Sequence, residues 1–358
     1  MSTKLKVRKF ANHKKLVTYL RDDFTSGSND FVLIYAYNGT GKTRLSMEFK
    51  EAGKKKRGTP RDTLYFNAFT EDLFHWDNDL EEDNARTLQI NHQSHFFDGF
   101  KELALEEKIF EFLGRYADFN FKIDYEAWKV SFSRGEEDNI KVSRGEENIF
   151  IWCMFLAIAQ LAIEEHEAYT WVKYLYIDDP ISSLDDNNAI AVASDLAQLL
   201  RSGKDRFKSV ISSHHSLFFN VMCNELKTFP HKKYFLHSVK ESNKFLLHVT
   251  DETPFFHHVA MLHELQKAVE TDKLYAYHFN MLRNVLEKTA TFFGFKEFSE
   301  CLHGVSDENL YARALNLLSH GKYSLYDPKE MVPDNKKLFK DILEAFLNRY
   351  RFDLPQLH

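Results

Sequence analysis

The stretch FVLIYAYNGTGKTRLSMEF, residues 31–49, constrains the fold more than any other part of the chain. An apolar strand, Phe31 to Tyr35, enters a glycine-bearing turn and then a helix carrying Leu45, Met47 and Phe49. Strand, phosphate loop and helix in this order predict an α/β sheet. Gly39 and Gly41 let backbone N–H groups approach phosphate oxygens, with Asn38 and Thr40 completing the turn. Lys42 supplies a point charge to the β and γ phosphates, and the Thr43 hydroxyl suits Mg²⁺. Ala36 stands where a first glycine is usual, so the motif reads AxxxxGKT with its lysine and threonine intact.

Later segments arrive in the order that such a nucleotide site needs. YLYID, residues 174–178, is a buried-strand pattern ending in Asp178, whose carboxylate can hold the water shell of Mg²⁺. Asp179 follows where a glutamate would be expected, and Pro180 with SSLDD resembles the D-loop of ABC-type ATPases, in which Asp185 would help arrange an opposing subunit's site. A carboxylate one methylene short positions an attacking water less well, so slow turnover, suited to a switch rather than a motor, is expected. SVISSHHSLFF supplies another apolar strand followed by His214 at the place of a switch histidine, although two surface histidines after a strand would read the same way.

The pentapeptide SRGEE occurs twice, at 133–137 and 143–147. The second copy leads into the apolar run IFIWCMFLAIAQLAI, so Ser143 and Gly145 are expected at a helix N-terminus, where the dipole and free N–H groups favour an anion. It resembles the ABC signature, which closes over nucleotide held by another subunit and so implies at least a dimer. The first copy lies in an alternating pattern and is read as a hairpin turn.

Length and composition limit the alternatives. At 358 residues, with 33 Phe and 44 % hydrophobic residues, the chain can build two cores: a nucleotide domain over 1–252 and a helical domain over 253–358. Three scattered cysteines suggest neither disulfides nor a zinc site, and no secretion signal is evident, so a cytoplasmic protein is expected. The apolar run at 149–163 is short for a bilayer and ends in EEHE, so a buried helix and no membrane association are expected. A net charge of −6 gives no global attraction to nucleic acid, and KKKRG at 54–58 reads as a solvated loop. No sustained heptads follow the phosphate loop, so an SMC-like DNA-repair arm is not expected.

Beyond DETPFFHH the periodicity becomes helical. RNVLE places Arg283 and Glu287 four residues apart on one helix face, and His320 closes a later helix. An arginine to stabilise a pentacovalent phosphate, with a glutamate and a histidine to move protons, suffices for metal-free RNA cleavage through the 2′-hydroxyl. By spacing alone the same residues are an ordinary ion pair and a helix cap. Histidine pairs such as His92 with His95 and His257 with His258 lack further ligands at metal-binding spacing.

IYAYNGTGKTRLS, FNAFTEDLFHWDNDL, KVSRGEENIFIW, YIDDPISSLDDN, SSHHSLFFNV, YHFNMLRNVLEKTATFFG and LNLLSH together resemble the PrrC-type bacterial anticodon nucleases over nearly the whole chain. The resemblance implies an α/β ABC-type P-loop ATPase domain followed by an all-α HEPN-like ribonuclease domain. It implies cleavage of a tRNA in the anticodon loop, most typically lysine tRNA, leaving a 2′,3′-cyclic phosphate and a 5′-hydroxyl. Arg283, Glu287 and His320 would form the nuclease site, Asn284 would orient its neighbours, and Asp179 would be a family trait of the nucleotide site. The implied cofactors are Mg²⁺ with ATP or GTP, and thymidine nucleotide as a stabiliser of the active state. The implied partners are tRNA, further copies of the chain, and a type I DNA restriction-modification complex that holds the nuclease silent until phage infection. The competing reading is an ABC-type phage- or DNA-damage-sensing ATPase whose helical domain recruits a separate effector.

Overall fold

The computed structural model describes residues 7–53, 62–67, 74–78, 86–91, 97, 105–180, 186–239, 244–250, 256–302, 308–319 and 330–350. The chain divides into two compact units, Lys9–Leu247 and a second formed by Met1–Arg8 with His248–His358.

The first strands and helices are β1 (Val7–Phe10), α1 (His13–Thr25), β2 (Phe31–Tyr35), α2 (Lys42–Ala52) and β3 (Thr63–Asn67). Every residue of β2 is buried, as a strand covered on both faces must be. Its continuation is β4 (Phe74–Asn78), β5 (Arg86–Ile90), α3 (Glu106–Leu113), β6 (Asn120–Asp124), β7 (Lys129–Arg134), β8 (Glu137–Asp138) and α4 (Arg144–Ile163). After α4 come β9 (Tyr174–Asp178), α5 (Asp186–Ser202), β10 (Lys208–Ser213), α6 (Ser216–Glu225), β11 (His231–Val239) and β12 (Lys244–Val249).

These strands form two sheets. The larger runs β1-β12-β11-β2-β10-β9-β3, and the pairings of β10 with β2 and β9, β11 with β2, and β3 with β9 are parallel. The smaller is antiparallel, β4-β5-β7-β6, with β8 added to β7. The first SRGEE copy is the β7–β8 hairpin, turned by Gly135 at φ +61°, as its alternation predicts.

Between the sheets lies α4. Trp152 meets Phe66 of β3 with ring centroids 5.1 Å apart, while Phe150 meets Phe121 of β6 at 5.0 Å and Phe132 of β7 at 5.1 Å. Residues 149–159 of α4 are all buried, so a helix apolar on every side is satisfied by protein on every side.

The second unit carries α7 (Phe256–Glu270), α8 (Tyr277–Phe293), α9 (Glu308–Ser319) and α10 (Pro333–Arg349). The buried side of α8 is His278, Phe279, Leu282, Val285, Leu286 and Ala290, a helical stripe that sets Phe279 edge-on to Phe339 of α10. Gly294 at φ +73° ends α8.

Candidate nucleotide site and helical-unit pair

Parallel register brings the chemistry to one edge. Asn67 pairs with Asp178, Asp178 with Ser212, and Ser213 with Tyr35, so the C-terminal ends of β3, β9, β10 and β2 converge. In an open α/β sheet this is the edge where ligands bind. Gly39 at φ +78° and Gly41 at φ +96° turn the chain from β2 into α2, whose first residue is Lys42.

Lys42 is buried at 6 % exposure. Its ammonium donates to the Ala36 carbonyl at 3.1 Å and to Asn38 Oδ1 at 3.2 Å, and lies 3.3 Å from Asp179 Oδ2. His214 Nδ1 lies 2.7 Å from the same oxygen. Asp179 Oδ1 accepts from Ser213 Oγ at 3.1 Å and from the His214 backbone N–H at 2.9 Å. Burial pushes the Asp179 carboxyl up, but His214 and the Lys42 charge more than reverse this and bring it to about 2. The carboxylate is therefore charged at neutral pH. Its backbone has φ +52°, a left-handed conformation costly outside glycine, and its N–H is tied to the Ser212 carbonyl at 2.8 Å.

Asp178, its neighbour, has the opposite electrostatics. It is 1 % exposed; burial and the adjacent Asp179 charge raise its carboxyl, against a lowering by Ser212. Oδ1 accepts from Ser212 Oγ at 2.6 Å, and Oδ2 from Ser46 Oγ at 3.3 Å. The Thr43 hydroxyl is also within its hydrogen-bonding reach. A buried carboxylate satisfied mainly by neutral donors, beside a threonine hydroxyl, is a hard-oxygen environment that fits Mg²⁺ shared with phosphates. Among the described residues no group of three or more His, Cys, Asp or Glu forms a metal cage.

The two histidines after β10 separate by role. His214 faces Asp179, whereas the His215 side chain caps α6 by accepting from the Phe218 N–H at 3.3 Å. Ser143 is the N-cap of α4 in a capping box with Glu146, which puts Gly145 in its first turn. Arg134 of the first SRGEE copy pairs with Glu146 of the second, and Trp76 Nε1 donates to Glu147 at 2.8 Å. The smaller sheet thus braces the start of α4. Asp185 lies outside the described residues.

Several neighbours of this site become visible only in the fold. Ser46, Ser212 and Ser213 hold the aspartates, and His13 of α1 lies against Gly41 and against Phe245 of β12, ring centroids 4.0 Å apart. Ser212 and Ser213 stand in SVISSHH, but their partners only follow from strand register; nothing local marks Ser46 or His13.

In the second unit Arg283 Nε donates to Glu287 Oε1 at 2.7 Å, and the guanidinium lies 5.1 Å from the Phe298 ring centroid. Asn284 is exposed beside them, and His320 lies outside the described residues.

A family model described as an AAA domain matches residues 102–346. An Escherichia coli protein described as "Anticodon nuclease" is 34 % identical over 388 residues, covering 98 % of this chain and 95 % of the relative. Two solved structures are far more distant. The "SmcHead bound to the C-winged helix domain of ScpA" has 10 % identity and a TM-score of 0.34, covering 62 % of this chain and 90 % of that one. The "SMC head domain from Thermotoga maritima" has 13 % identity and a TM-score of 0.32, covering 61 % and 90 %.

Proposed function

The chain belongs to the anticodon nuclease family, within the AAA-domain proteins, and on that premise we propose that it cuts a tRNA in the anticodon loop under control of its nucleotide site. The observation that carries this reading is the relative's identity along nearly the full length of both chains.

Nucleotide chemistry falls to the first unit. Lys42 and the N–H groups of Asn38, Gly39, Thr40 and Gly41 hold phosphates, Thr43 and Asp178 hold Mg²⁺, and Asp179 orients the attacking water beside His214. Mg²⁺ supplies charge neutralisation to the phosphates. Ser143 and Gly145 of one copy close over nucleotide bound to another, which makes the working form a homodimer or larger. The charged, fixed state of Asp179 supports its own placement at the hydrolytic step. ATP and GTP both suit such a loop, and thymidine nucleotide is a further stabilising ligand in this reading.

RNA chemistry falls to the helical unit, read as HEPN-like. The 2′-oxygen attacks phosphorus and loses its proton to Glu287 or His320; the P–O5′ bond breaks, and the other of the pair protonates the leaving 5′-oxygen. Arg283 stabilises the pentacovalent phosphate, with Asn284 orienting its neighbours. Products are a 2′,3′-cyclic phosphate and a 5′-hydroxyl, and no metal takes part in this step. The proximity of Arg283 to Glu287 supports their acting together. Lysine tRNA is the proposed substrate, a type I restriction-modification complex the proposed inhibitor, and antiphage defence in the cytoplasm the proposed role.

Inducing the wild type and His320→Ala in a bacterial host, then sequencing total tRNA for new 5′-hydroxyl ends, tests this. Cuts confined to one anticodon loop and absent from the variant are expected. Identical cuts with both proteins would remove His320 from the site, and no cuts with either, in the presence of nucleotide and a phage trigger, would overturn the nuclease reading.

A further inference from the structure

Ser213 is wholly buried at the end of β10, and its hydroxyl has a fixed direction. The Oγ accepts the His215 backbone N–H at 3.0 Å, which leaves its own proton for Asp179 Oδ1 at 3.1 Å. The same Oδ1 takes the His214 N–H, so two donors lock one carboxylate oxygen while Oδ2 faces Lys42 and His214. Asp179 also sits on a left-handed backbone that only its surroundings can maintain. We infer that Ser213 is a positioning residue for nucleotide hydrolysis, fixing the Asp179 carboxylate that places the attacking water. The inference rests on the assignment of Asp179 to that role.

Two features of the strand sharpen the inference. Ser212, the preceding residue, donates instead to Asp178 at 2.6 Å, so each of two consecutive serines serves one of two consecutive aspartates. Ser209, also wholly buried on β10, has an Oγ without a hydrogen-bond partner among the described residues. It offers the loss of a buried hydroxyl from the same strand without the loss of an aspartate's donor.

Hydrolysis by the full chain, resolved into kcat and KM, is measured for Ser213→Ala, Ser213→Thr, Ser209→Ala and Asp179→Asn. Loss of the donor lets the carboxylate swing, so Ser213→Ala is expected to lower kcat by about tenfold or more with KM within about twofold of the wild type. Ser213→Thr, which keeps the hydroxyl, restores most of the rate, and Ser209→Ala leaves it unchanged. A normal kcat in Ser213→Ala, or equal losses in Ser213→Ala and Ser209→Ala, overturns the inference. An unchanged rate in Asp179→Asn instead overturns the role of Asp179 itself. If Ser213→Ala does not fold, Ser213→Cys, of similar size but a weak donor, decides: a fall in kcat with a native thermal midpoint supports the inference, and a wild-type kcat refutes it.

Discussion

Lys42 Nζ lies 3.3 Å from Asp179 Oδ2, so the cation of the phosphate loop and the carboxylate of the hydrolytic edge neutralise each other within the protein. If Lys42 binds phosphate as proposed, a bound triphosphate competes with Asp179 for it. On the proposed reading the ion pair would couple phosphate binding to release of the carboxylate from Lys42.

Replacing Asp179 by Asn removes that competitor. Titration with a fluorescent analogue of ATP or GTP is expected to show binding tightened by a few-fold, while hydrolysis falls by about tenfold or more. Asp179→Glu alters the steady-state rate, because the carboxylate moves by one methylene; an unchanged rate would count against its placing the water. Lys42→Ala weakens binding by about a hundredfold, the size of effect expected for losing a buried cation from a phosphate site.

Gly41→Ala brings a Cβ to 2.9 Å from His13 Nε2 on a backbone at φ +96°. Gly27→Ala meets nothing within 4 Å at φ +74°. Both variants carry the left-handed cost of about 1–2 kcal/mol, but only the first is expected to lose nucleotide affinity. Thermal midpoints and nucleotide titrations on the two proteins separate backbone strain from distortion of the loop.

Arg21 makes a two-point contact with Asp62 at 2.9 and 3.1 Å, donates to the Phe49 carbonyl at 2.6 Å, and lies over the Phe49 and Tyr174 rings. Arg21→Lys cannot reproduce the fork and is expected to cost about 2 kcal/mol in urea unfolding. Burial raises the Asp62 carboxyl, and the Arg21 and Thr63 hydrogen bonds and the Arg21 charge more than reverse it, leaving it below its usual 3.8. A carboxyl lowered by folding stabilises at pH above its unfolded value, and that contribution is lost as pH falls through the folded value. The deficit of Arg21→Lys is therefore full at pH 7 and shrinks below pH 3.8.

Arg283 and Glu287 form a half-exposed pair on one helix, worth no more than about 0.5 kcal/mol. Arg283→Ala and Glu287→Gln should thus keep the wild-type unfolding midpoint and nucleotide hydrolysis while abolishing new 5′-hydroxyl ends in tRNA. Loss of cleavage accompanied by an equal loss of hydrolysis would place these residues in folding rather than in RNA chemistry.

The sequence by itself determined the strand–loop–helix at 31–49, the buried helix after SRGEE, the hairpin at the first SRGEE copy and the helical periodicity beyond DETPFFHH. Each is written in local terms: glycines where the backbone must turn left-handed, apolar residues at a strand or helix period, a serine before an acidic first turn. Tertiary structure decided what those segments hold. Only parallel register sets Ser212 beside Asp178 and Ser213 beside Asp179, and only the sheet edge brings His214 and Lys42 to one carboxylate. Likewise Arg134 and Trp76 reach the start of α4 from another sheet, and His13 reaches Gly41 from the far side of β2 in sequence. Spacing along the chain records what one segment can form; the charges and hydrogen bonds that make a site arise between segments far apart in sequence, and packing alone selects them.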